Sequence, residues 1–80
     1  MAIYFAASNF DVAISRDKRK VRKFARRNLR FAGLDMKIGV CNRQALASEE
    51  AFQNEFGASM IYDVDQRMVF RPDFSVARTF

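Results

Sequence analysis

Eighty residues suffice for one small hydrophobic core and are too few for two, so a single domain over 1–80 is expected. Half of the residues are apolar and nine are Phe, which argues against disorder, while the lone cysteine excludes an internal disulfide. Charge is unevenly spread: nine bases and one acid lie between Arg16 and Arg30, a local +8 that leaves the rest of the +5 chain at −3.

Without a cysteine pair, a reducing, cytoplasmic setting is expected. The apolar opening, residues 1–7, lacks a preceding cationic stretch and is broken by Ser8, Asn9 and Asp11, so neither a secretory segment nor a membrane span is expected. For so small a chain, association into a homodimer is one route to added stability.

Residues 2–7, with Ile3, Tyr4 and Phe5 between small neighbours, read as a buried strand. Residues 9–14 are ambiguous: Phe10, Val12 and Ile14 alternate as in a strand, yet could also extend the next helix backward. That helix is expected over 16–32, capped by Ser15 and closed by Gly33. At 100° per residue, Val21, Phe24, Ala25, Leu29, Phe31 and Ala32 share one side. Arg16, Arg19, Lys20, Arg22, Lys23, Arg26, Arg27 and Arg30 fill an arc of about 160° opposite, with Lys18 at the apolar border.

Residues 34–41 alternate as a strand, so strand, helix and strand in succession predict a parallel, right-handed crossover. A second helix is expected before Gly57, capped by Ser48, with Glu49 and Glu50 at its positive end and Phe52 and Phe56 turned inward. Met60, Tyr62 and Val64, then Met68 and Phe70, bracket residues 65–67 as a hairpin whose second strand Pro72 ends or marks as an edge. The tail from Asp73 either adds an edge strand or docks Phe74 and Phe80 on a partner. The fold class that results is α+β, or small α/β, with about four strands and two helices in the order β-α-β-α-β-β and the long basic helix on one sheet face.

The basic helix breaks local rules. Pairs such as Arg16/Lys20, Arg19/Lys23, Arg22/Arg26 and Arg26/Arg30 repel, and Arg16, Lys18 and Arg19 oppose the helix dipole. An external anion would complete such a pattern, and from Arg16 to Arg30 a helix reaches about 21 Å, a span suited to several phosphates. Arginine outnumbers lysine there, and its planar fork suits phosphate oxygens and base edges. Noncatalytic nucleic-acid binding is therefore the leading expectation, RNA slightly ahead of DNA because no groove-reading helix pair is evident. The alternative is an inhibitor or adaptor, antitoxin-like or a virus-encoded regulator, that docks this helix on an acidic protein surface. A membrane-surface role is disfavoured, since the core claims the helix's apolar side.

Other chemistry has little to stand on. The chain contains no histidine, and Ala47 fills the place where a phosphate-cradling loop after Cys41 would need arginine. Asp11, Asp35, Asp63 and Asp65 could in principle gather a divalent metal for nuclease chemistry, but Asp63 and Asp65 read more simply as turn formers. No enzyme activity, metal or cofactor is expected. Tyr4, Tyr62, Phe70 and Phe74 are candidates for stacking on unpaired bases, though a chain this small needs most of its aromatics for its core.

Overall fold

A computed structural model describes residues 2–8, 10–28, 36–57 and 60–80. Among them, six strands form one mixed sheet and two α-helices cover it: β1 (Ile3–Ala7), β2 (Asp11–Ser15), α1 (Lys18–Arg27), β3 (Lys37–Cys41), α2 (Glu49–Phe56), β4 (Met60–Asp63), β5 (Met68–Phe70) and β6 (Val76–Thr79). The class is α+β, with two strands more than the pattern alone predicts.

The ambiguous segment is a strand. Ser8 turns the chain sharply after β1, its hydroxyl accepting the N–H groups of Phe10 (3.2 Å) and Asp11 (3.1 Å) while its own N–H donates to the Asp11 carbonyl (2.9 Å). β2 therefore runs back antiparallel to β1, Ala6 opposite Ala13. This hairpin corrects the expected crossover. β3 lies on the far side of β1 and antiparallel to it, Phe5 opposite Gly39, so the helix links β2 to β3 across an intervening strand. The order is β3-β1-β2-β4-β5-β6, and the one adjacent parallel pair among these strands is β2 with β4.

The chain thus crosses the sheet one way through α1 and back through α2. Two crossovers of the same hand running in opposite lateral directions must pass over opposite faces. The packing agrees. Val21 and Ala25 of α1 are buried with Ala6, Ala13, Tyr62 and Val69, whereas Phe52 of α2 is buried with Ala7, Val12 and Ile61 on the other side.

α2 follows its sequence signals closely. The Ser48 hydroxyl accepts the Ala51 N–H (3.1 Å), Glu49 and Glu50 occupy the first turn, and Gly57 takes the left-handed conformation (φ 61°) that a side chain would strain. Phe52 is fully buried, and Phe56 packs against it and edge-on to Phe5. On β3, Gly39 leaves room for that ring, since a Cβ there would sit 3.2 Å from a Phe5 ring carbon.

The β4–β5 hairpin forms as predicted, and Pro72 follows the end of β5. The tail takes the edge-strand alternative as β6, paired with β5 through a register shift at Val69 and Phe70. Its two aromatics pack within the chain, Phe74 against Phe52 and Phe80 against Phe24 and Tyr62. None of the helices among the described residues is long and apolar enough to cross a membrane.

Candidate nucleic-acid interface

α1 is shorter at its start than its charge pattern predicts. Asp17, not Ser15, caps it, the Asp17 carboxylate accepting the Arg19 N–H (2.9 Å). Ser15 serves a long-range contact instead: its hydroxyl donates to Asp65 in the β4–β5 turn (2.7 Å) and accepts the Asp17 N–H (2.9 Å). The Arg16 N–H donates to the other Asp65 oxygen (2.8 Å), and Lys20 lies 3.8 Å from this carboxylate. Arg16 consequently sits in the approach to the helix. The last described helical residue is Arg27, with Asn28 as the C-cap and its N–H on the Phe24 carbonyl. Arg30, Gly33 and the apolar positions Leu29, Phe31 and Ala32 lie outside the described residues.

Within the helix the two sides separate as the periodicity requires. Val21 and Ala25 are buried and Phe24 half-buried, while Lys18, Arg19, Lys20, Arg22, Lys23, Arg26 and Arg27 are all exposed, as is Arg16 before them. Alanine at 6, 13 and 25 lets the helix lie close on the sheet, which presents its outer side to solvent as a ridge. Among the described residues the one ion pair is Lys20 with Asp65, so no other described base of the ridge lies within ion-pair distance of a carboxylate in this part of the chain.

The ridge has two flanks, each bordering a concavity. On one side Tyr4, Arg16, Lys18, Arg19 and Arg22 line a shallow groove with Asp17. On the other, Lys20, Lys23 and Arg27 face the β4–β5 turn and Phe80 across an open depression of about 950 Å³, with Phe24, Asn28, Val64, Asp65 and Arg67 also among its described lining residues. The turn is held by the Asp63 carboxylate, which accepts the N–H groups of Asp65 and Gln66 (both 3.1 Å). Arg67 follows at φ 56°, a conformation that glycine or asparagine takes more cheaply, and its carbonyl accepts the Phe80 N–H (2.9 Å).

Asp65 links turn and helix, and its ionisation reflects that. Partial burial pushes its carboxyl upward, but the Arg16 N–H, the Ser15 hydroxyl and the charges of Lys20 and Arg16 together hold it below the ordinary carboxylate range. Asp63 and Asp65 thus serve the turn and the helix start. Asp11 is buried in the sheet, Asp35 lies outside the described residues, and no group of three or more His, Cys, Asp or Glu side chains converges among the described ones. Cys41 is buried, and that burial, with nearby Glu55, pushes its thiol pKa up, opposite to what a nucleophilic cysteine needs.

The stacking candidates are mostly core. Tyr62 is 5% exposed, and Phe70 and Phe74 pack under α2; Tyr4 alone of the four borders the ridge. Sequence reasoning missed Arg67, a turn residue with no local signal. It marked Phe80 as a docking aromatic of the tail but not as a neighbour of the ridge, and only the β5–β6 pairing sets the two residues beside α1.

Comparison with protein-family models, with curated proteins and with solved structures gives no match for this chain. What the site can do is therefore read from its own chemistry.

Proposed function

We propose that this chain is a noncatalytic nucleic-acid-binding protein that neutralises phosphates with Arg16, Arg19, Lys20, Arg22, Lys23, Arg26, Arg27 and Arg30. The observation that carries this reading is the exposure of seven bases on the ten residues of α1, with one ion pair among the described residues to offset them. A helix that retains like charges three and four apart, with no acid in its first turn, forgoes local stability that alternating signs would supply. A polyanion restores it. RNA is favoured over duplex DNA because α1 and α2 lie on opposite faces of the sheet, so they do not form the packed pair in which one helix braces another in the major groove.

The test is binding of RNA and DNA fragments across a salt series. Replacing Arg19, Lys23 and Arg26 together by Ala is expected to weaken both, and to flatten the slope of log affinity against log salt by about 0.7 to 0.9 for each phosphate no longer neutralised. An unchanged slope overturns the proposal. Capture by an acidic protein surface, with no affinity for nucleic acid after nuclease treatment, would favour the adaptor role instead.

A further inference from the structure

We infer that the depression between α1 and the β4–β5 turn is a seat for an unpaired base, so that the preferred ligand is single-stranded nucleic acid. This rests on the nucleic-acid reading above and goes beyond it in naming the form of the strand and the residues that select it.

Among the described residues, Phe80 is the exposed member of a packed aromatic trio: its ring centroid lies 5.6 Å from Phe24 and 6.1 Å from Tyr62, which are 5.6 Å from each other. Phe80 remains 47% exposed and lines the depression. Its position is built. The Phe80 N–H is tied to the Arg67 carbonyl, β6 precedes it, and Arg78 reaches the Tyr62 hydroxyl (3.4 Å) behind the trio. Lys23, Arg27 and Arg67 line the same depression, none of them in an ion pair among the described residues, while the acid that also lines it, Asp65, is engaged by Ser15, Arg16 and Lys20.

An exposed aromatic ring in a depression also lined by cations matches one base with its flanking phosphates: the π-face takes the base and the cations take the backbone. A paired base stacks within its own helix and cannot also lie on a ring that lines a concavity, whereas a single strand can turn one base out. The depression has the size range of small-molecule sites, and the ridge leads away from it along α1. A strand seated here therefore continues over further bases, which a free nucleotide does not.

The probes are a single-stranded oligothymidylate of about twelve nucleotides, a duplex hairpin of equal charge, uridine monophosphate and polyglutamate, each measured by fluorescence anisotropy or competition at fixed salt. The intact chain is expected to bind the single strand about tenfold or more tighter than the hairpin, with the mononucleotide and polyglutamate competing weakly. Phe80→Ala is expected to weaken the single strand about five- to a hundredfold and leave the hairpin unchanged. Phe80→Leu, which keeps an apolar side chain but no π-face, is expected to lose most of the same preference, and Phe80→Trp to retain it. Arg67→Gly, at a position whose backbone suits glycine, is expected to weaken the single strand with the fold intact by circular dichroism.

Equal affinity for single strand and hairpin, or a Phe80→Leu protein that keeps the preference, overturns the base seat while the phosphate-binding ridge stands. Mononucleotide binding as tight as the oligomer overturns the strand assignment. Polyglutamate binding as tight as the oligomer, or no binding of any nucleic acid, overturns both this inference and the function it rests on.

Discussion

The two faces of the sheet solve the same packing problem with different side chains. Under α2 the core is large and aromatic, with Phe52 at its centre and Phe5, Phe56, Phe70 and Phe74 around it. Under α1 it is built of Ala6, Ala13, Val21 and Ala25, with larger groups toward the β4 and β5 side. The first turns differ in the same sense: α2 places two glutamates there, while α1, behind its Asp17 cap, places only bases. Both faces bury apolar side chains, but only α1 turns an outer side of exposed bases to solvent, most of them outside any ion pair among the described residues.

The sharpest way to break this contrast is Phe52→Ala. Deleting a fully buried ring costs about 3–5 kcal/mol, a loss that consumes most of the stability of a small domain, and a urea melt is expected to show it. A Phe52→Ala protein as stable as the parent would mean that the aromatic face is not a main support.

A smaller effect is expected where the two regions are stitched together. Asp65→Asn removes the charge that holds the start of α1, and its consequence depends on pH. Because the folded carboxyl lies below its ordinary value near 3.9, its contribution is complete above that value and is lost as pH falls through the folded one. Thermal melts of parent and variant are expected to differ at neutral pH and converge in acid. A gap that does not narrow as the pH falls would assign the effect to something other than ionisation.

The smallest effect sharpens the contrast at the ridge itself. Arg22→Glu places an acid four residues from both Lys18 and Arg26, and is expected to raise stability by a few tenths of a kcal/mol per pair at low salt while weakening nucleic-acid binding. Urea midpoints at low and high salt provide the check, since screening should erase the gain. Opposite movements of stability and binding would mark the ridge as kept for its ligand.

How far the sequence can be read follows the range of the interactions involved. α2 is legible because its cap, first-turn acids and closing glycine lie within ten residues, and the β4–β5 hairpin because its alternation flanks a short polar turn. The apolar side of α1 emerges from periodicity alone, at Val21, Phe24 and Ala25. Ser15 has the local look of a cap because the partner that claims it, Asp65, is fifty positions away in sequence. The crossover falls on the wrong pair of strands because periodicity tells where a strand is but not which neighbour it joins. At the site, the exposed bases of α1 are visible as a pattern and Phe80 as a docking aromatic of the tail, whereas Arg67, and the place of Phe80 beside α1, emerge only from tertiary position.

The hairpin of β1 and β2 occupies the middle of the sheet, yet it comes first in the chain. Both of its outer edges stay open until later segments arrive, and pairing Asp11 with Met60 closes a loop of roughly fifty residues, an entropic toll that falls due before any parallel pairing has formed. Folding is thus set to be slow for a chain of this size, and the nascent hairpin is the segment most open to pairing with a neighbour before β3 and β4 enclose it.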